Sequence, residues 1–105
     1  MTISRTEADA LTFGPDEVTG EVLPPLHPGE ILREEFLKPH GMSARELSRR
    51  LGVPSNRITE IVAGERSVSA HTALLLEREF GVSARFWLGL QTAFDLEEAR
   101  ARIAA

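Results

Sequence analysis

The chain has 105 residues, 42% of them hydrophobic and 27% charged, with a formal net charge of −4 and no cysteine. That length supports one domain around a single modest core, and the lack of cysteine excludes disulfides, a thiolate nucleophile and cysteine-ligated zinc. The start MTISRTEADALTF has no basic stretch followed by an apolar block, and no run approaches the roughly 18 apolar residues of a membrane span, so a soluble, non-exported cytoplasmic protein is expected.

Residues 1–26 form the first division. They show no sustained period, contain Gly14-Pro15 and Pro24-Pro25, and up to residue 25 carry five acids against Arg5. An irregular acidic arm is expected there, with at most a short strand around Glu21 to Leu23. Residues 27–105 read as the folded domain. Its first helix is expected to begin at Pro28 and stop before Pro39, with Ile31, Leu32, Phe36 and Leu37 facing inward. Lys38-Pro39-His40-Gly41 is a turn.

The stretch Ser43 to Gly64 reads as two short helices joined by a tight turn. Ser43 and Glu46 have the spacing of a capping box, in which a hydroxyl and a carboxylate satisfy otherwise unpaired amides at a helix start. Leu47 and Leu51 give the buried stripe, Gly52 suits a left-handed helix end, and Pro54 suits the first turn of the next helix. At 100° per residue, Ile58, Ile61 and Val62 cluster on one side of that second helix, while Asn56 and Glu60 lie roughly opposite, flanked by Thr59 and Arg57. This is a helix-turn-helix pattern, whose second helix offers its N-terminal residues to base edges in the major groove. Ser55, Asn56 and Arg57 are suited to that, asparagine pairing with adenine and arginine with guanine.

Gly64 to Val68 is a loop, and Ser69 caps a fourth helix running to about Phe80, with Ala73, Leu74, Leu76 and Phe80 as its core face. Gly81 ends it, Ser83 caps again, and a fifth helix carries Phe86, Trp87, Leu90 and Phe94 before the charged tail LEEARARIAA. Five helices and no convincing strand make an all-α domain. Phe94, Leu96 and Ile103 extend past what a small core needs and are candidates for a dimer contact through the C-terminal helix.

Catalytic and ligand-binding patterns are missing. His27, His40 and His71 share no metal-ligand spacing, and there is no His-Glu-x-x-His pair, Gly-x-Ser-x-Gly elbow or phosphate-cradling glycine loop. Glu34-Glu35 and Glu97-Glu98 are neighbours that a helix points about 100° apart, as solvated acids do. No enzyme activity, metal, cofactor or small-molecule substrate is expected.

A negative net charge disfavours DNA, whose affinity for proteins is dominated by phosphate neutralisation, but the distribution differs from the sum. Residues 26 to 90 hold nine basic against eight acidic side chains, and residues 43 to 66 hold five against three. Arg45, Arg49, Arg50, Arg57 and Arg66 make a weak local positive patch, so affinity per monomer is expected to be modest and a homodimer to be required.

The run from His27 to Gln91 closely resembles the HigA antitoxins, a branch of the Xre and lambda-repressor-like helix-turn-helix class. The HPGE opening, the NRITEIVAGER segment and the FWLGLQ close carry the likeness. That resemblance implies a five-helix lambda-repressor-like fold, a homodimer, binding to operator DNA of the chain's own operon and neutralisation of a HigB-type toxin that cleaves messenger RNA. Carried over by position, Ser55, Asn56, Arg57 and Thr59 match the base-reading part of the recognition helix, and Arg66, Ser67 and Ser69 fall in the loop that meets the DNA backbone. A HigB-type toxin is small and basic, so the acids Glu30, Glu34, Glu35, Glu77 and Glu79 are candidates for meeting it. Two other readings stand beside this one: an interaction module whose DNA binding is secondary, and a stand-alone Xre-type repressor with no toxin.

Overall fold

The computed structural model describes residues 26–104, and these are all-helical, with five helices and no strand. The expected acidic arm, all but Leu26 of it, lies outside the described residues.

Helix α1 (Pro28–Ile31) starts on His27, whose Nδ1 accepts the amide of Gly29 at 2.9 Å, and it runs without a break into a π-helical stretch, Leu32–Leu37. The wider winding is closed by Lys38 N–H donating to the Arg33 carbonyl at 3.0 Å, a spacing of five residues. An α-helix would set Leu32 and Leu37 about 140° apart around its axis, whereas the π turn brings both into the core, 0% and 4% exposed. The expected limits of this helix thus hold, but its winding differs.

Helices α2 (Ala44–Leu51), α3 (Asn56–Val62), α4 (Ala70–Phe80) and α5 (Ala84–Ala104) follow. Ser43 Oγ accepts Glu46 N–H at 3.0 Å to start α2, and Gly52 ends it at φ 74°, a left-handed conformation that costs glycine nothing. Ser69 caps α4 by accepting Thr72 N–H at 3.2 Å, and Ser83 accepts Phe86 N–H at 3.2 Å at the start of α5. Pro54 stands two residues before α3 rather than within its first turn. Its carbonyl accepts Arg57 N–H at 2.9 Å, so the chain is already turning when the helix begins.

One core joins all five helices: Leu32 and Leu37, Leu47 and Leu51, Ile58 and Ile61, Val68, Ala73, Leu76 and Trp87. Trp87 is fully buried and lies 5.2 Å from the ring of Phe36, which in turn meets Phe80 at 5.0 Å. Leu74 corrects the expected core face of α4. It is 57% exposed, because Thr72, Ala73 and Leu76 form the buried stripe and Leu74 projects from the opposite side of the helix. Phe86 is also only partly covered, its ring edge-on to Trp87 at 5.2 Å. The LEEARARIAA segment continues α5 to Ala104. No described helix is long and apolar enough to cross a membrane.

Three buried polar side chains tie elements together. Ser48 Oγ accepts Ile58 N–H at 3.2 Å and donates to the Ser55 carbonyl at 3.3 Å, linking α2 to the start of α3. Gln91 Oε1 accepts Val68 N–H at 2.8 Å, fixing the loop before α4 to α5. The ring of His27 packs edge-on against Phe94 at 4.9 Å, closing the start of α1 on α5.

Candidate nucleic-acid interface

The first turn of α3 is open to solvent. Ser55 and Asn56 are exposed, Arg57 and Thr59 half-buried, while Ile58 and Ile61 on the other side are fully buried. The helix is thus anchored by one face and presents the other, as a reading helix must. Thr59 Oγ1 donates to the Asn56 carbonyl at 3.1 Å, which uses its only proton and leaves its lone pairs for an incoming donor.

Beside this turn, Arg45, Arg49, Val53 and Ser55 line a concavity of about 310 Å³. Arg45 and Arg49 are four residues apart on α2 and so share one face of it. Among the described residues Arg45, Arg49 and Arg57 make no ion pair, whereas the other two arginines of the expected patch do: Arg50 Nε donates to Glu79 Oε2 at 2.7 Å, and Arg66 donates to Glu60 Oε1 at 2.8 and 2.7 Å. Of the patch's five arginines, the three without an ion pair among the described residues thus lie on or beside the start of α3. Arg49 stands beside Arg45 in this group, and their four-residue spacing was visible in the sequence.

In the loop before α4, Arg66 and Ser67 are exposed. Ser69 is exposed as well, but its hydroxyl accepts Thr72 N–H and donates to Thr72 Oγ1 at 3.3 Å, so it serves the start of α4.

The acids considered for a protein partner do not form one negative surface. Glu34 is hydrogen-bonded by Lys38 at 3.1 Å and Arg33 at 3.0 Å, and these two cations hold its carboxyl below the usual range. Glu30 lies 4.0 Å from Arg33, Glu79 is paired with Arg50, Glu77 is half-buried and Glu35 is exposed. Of the residues considered for a dimer contact, Leu96 is 48% and Ile103 85% exposed, whereas Phe94 is half-buried against His27. Arg85, Leu88, Gly89, Thr92, Ala93 and Leu96 line an open groove of about 490 Å³ on α5. Among the described residues no group of three His, Asp or Glu side chains is placed to hold a metal ion.

The family model described as helix-turn-helix matches residues 33–87. Over 77 residues the chain is 54% identical to virulence-associated protein I of Dichelobacter nodosus, covering 73% of this chain and 71% of that protein. It is 35% identical over 78 residues to antitoxin HigA-1 of Vibrio cholerae, covering 74% of this chain and 73% of the relative. Among solved structures, the Pseudomonas aeruginosa antitoxin HigA with the higBA promoter superposes with a TM-score of 0.73 at 44% identity, over 74% of this chain and 85% of that one.

Proposed function

Because the chain belongs to the helix-turn-helix family, among its HigA-type antitoxins, we propose that it is a type II antitoxin that binds operator DNA of its own operon as a homodimer, represses that operon and neutralises an RNA-cleaving HigB-type toxin. The observation that carries the DNA half is that Arg45 and Arg49 stand beside the exposed first turn of α3, which itself carries Arg57, none of the three being ion-paired among the described residues. Arginines at that edge neutralise phosphates and fix the register, and the open faces of Ser55, Asn56, Arg57 and Thr59 then meet base edges. The solved relative holding promoter DNA supports the same assignment.

One seven-residue helix carrying Arg57, with Arg45 and Arg49 beside it, is a small contact. Two copies on half-sites one DNA turn apart multiply it, and the exposed apolar positions Leu96 and Ile103 on α5 supply a surface for pairing. The toxin is bound by folded surface on α1, the π-helical stretch that follows it and α4, where Glu30, Glu34, Glu35, Glu77 and Glu79 lie.

The DNA reading is tested by titrating the full chain against a duplex from upstream of its own reading frame at several salt concentrations. A site-specific affinity that falls steeply with salt supports it, and equal affinity for scrambled duplex overturns it. The toxin reading is tested by finding whether a small basic reading frame adjoins the gene and co-expressing the two, where rescue of growth and co-purification are expected. An adjoining product that neither arrests growth nor co-purifies leaves a stand-alone repressor.

A further inference from the structure

On the reading face of α3 one carboxylate holds two of the side chains assigned to DNA. Glu60 Oε1 accepts both Arg66 Nε at 2.8 Å and Arg66 Nη2 at 2.7 Å, and Glu60 Oε2 accepts Asn56 Nδ2 at 3.1 Å. Asn56 and Glu60 are one helical turn apart, while Arg66 comes from the loop beyond the helix.

We propose that Glu60 is a positioning residue for DNA recognition, setting the orientation of the Asn56 amide and the guanidinium of Arg66 without itself touching a base. The proposal rests on α3 being the reading helix and deepens that assignment. An asparagine amide has two chemically opposite ends of nearly equal size, and rotation by half a turn exchanges donor for acceptor. A carboxylate accepts only, so Glu60 selects the orientation with Nδ2 toward it. The second Nδ2 proton and Oδ1 remain as a fixed donor-acceptor pair, the pattern that adenine N7 and N6 require. Arg66 meanwhile spends its Nε edge on Glu60 and keeps Nη1 for a phosphate. The ion pair also cancels an acid that would otherwise stand on the DNA-facing side of the protein.

Two effects of opposite sign follow. Glu60→Gln keeps the size of the side chain but lets an amide face Asn56, so the orientation of Asn56 is no longer dictated and base discrimination falls. In an Arg66→Ala background the carboxylate is left uncompensated near phosphates, so there Glu60→Gln raises general DNA affinity. A residue with only a packing role would produce neither pattern.

The experiment uses the full chain and a duplex that it selects from a random-sequence library, together with all single-base variants of that duplex and a scrambled duplex. The variants are Asn56→Ala, Glu60→Gln, Arg66→Ala and their pairwise combinations, each checked for an unchanged melting transition. Expected is a loss of about 10-fold in discrimination at the base pair affected by Asn56→Ala, within the range of one bidentate contact, with no further loss in the Asn56→Ala, Glu60→Gln double variant. On scrambled duplex, Arg66→Ala weakens binding and Glu60→Gln restores part of it. Unchanged discrimination in Glu60→Gln overturns the proposal, as does a changed preference at a base pair that Asn56→Ala leaves alone, which would make Glu60 a direct base contact. If Asn56→Ala itself leaves every base pair equally discriminated, the assignment of the reading face falls and the proposal with it.

Discussion

The hydroxyl of Ser48 sits between two backbone groups of the next element, accepting from Ile58 N–H at 3.2 Å and donating to the Ser55 carbonyl at 3.3 Å. Both partners belong to the start of α3, so the buried serine sets where the reading turn begins. Ser48→Ala leaves the buried Ile58 N–H without its partner, at a cost of about 1–3 kcal/mol, while the Ser55 carbonyl lies at an exposed residue within reach of water. Chemical denaturation should register that loss, and site-specific DNA affinity, measured at a temperature where the variant is still folded, should fall as well. Unchanged stability would mean that the turn relaxes to find other partners.

Gly29 defines how closely α1 and α3 approach. A Cβ at that position would stand 1.8 Å from the Ile61 carbonyl oxygen and 2.9 Å from Val62 Cα, and both are backbone atoms of a packed helix. Neither can rotate aside. Gly29→Ala should therefore cost about 3 kcal/mol, at the upper end of overpacking penalties, and lower the melting temperature by more than ten degrees for a domain of this size. Gly89, where an added Cβ meets nothing within 4 Å, is the control, and Gly89→Ala should leave stability unchanged or improve it slightly.

These two residues also mark what sequence could and could not convey. The helix ends were legible because they are local: Ser43, Ser69 and Ser83 bond amides three residues ahead, and Gly52 and Gly81 take left-handed conformations directly after the last apolar residue. The open side of α3 follows from the spacing of Ile58 and Ile61 alone. Ser48, Gln91 and His27 were not legible as buried, since a polar side chain goes inside only when a partner from a distant element meets it, and periodicity carries no word of Ile58, Val68 or Phe94. The pairing of Glu60 with Arg66 is of the same kind. Five arginines lie near the turn, but the field depends on which are neutralised, and Arg50 and Arg66 are. Leu74 shows the converse error, since an apolar residue beside a buried stripe is not thereby part of it.

The buried His27 makes stability depend on pH. Burial lowers its affinity for a proton below the usual 6.5, and Asp95 opposes this only in part. Its Nδ1 must be unprotonated to accept Gly29 N–H. The folded state thus binds the proton less readily than the unfolded chain, so this contribution is complete above about pH 6.5 and is lost as pH falls below it. The loss should reach about 1 kcal/mol, the scale of a helix cap. His27→Asn keeps an acceptor at the cap and does not titrate, so the difference in melting temperature between wild type and variant should change sign or shrink between pH 7.5 and 5. A constant difference across that range would dissociate the cap from the titration.

Arg45 and Arg49 give a prediction independent of base identity. They flank the open turn without acidic partners among the described residues, which suits them to the phosphate contacts proposed above. Arg45→Ala combined with Arg49→Ala should weaken binding to specific and scrambled duplexes by similar factors and reduce the steepness of the salt dependence, by about 1 in log-log slope for each phosphate that a protomer no longer neutralises. Loss of specific binding alone, with the slope intact, would place these arginines on bases instead.

Assembly is tested on α5. Ile103 is 85% and Leu96 48% exposed on a 21-residue helix whose last turns extend past the core, and a groove bordered by Leu88 and Leu96 opens on the same helix. Apolar side chains so exposed gain when a second copy covers them, whereas the half-buried Phe94 already gains from His27 and contributes less to pairing. Leu96→Glu with Ile103→Glu places like charges at such a contact while leaving the core of the protomer untouched. Sedimentation at micromolar concentration should therefore show a dimer for the wild type and a monomer for the double variant, with circular dichroism unchanged. Because two half-sites are then no longer read together, the variant's affinity for a two-half-site duplex should drop to that for a single half-site. A variant that remains dimeric would move the pairing surface off the end of α5, and a monomeric variant with undiminished affinity would separate dimerisation from DNA recognition.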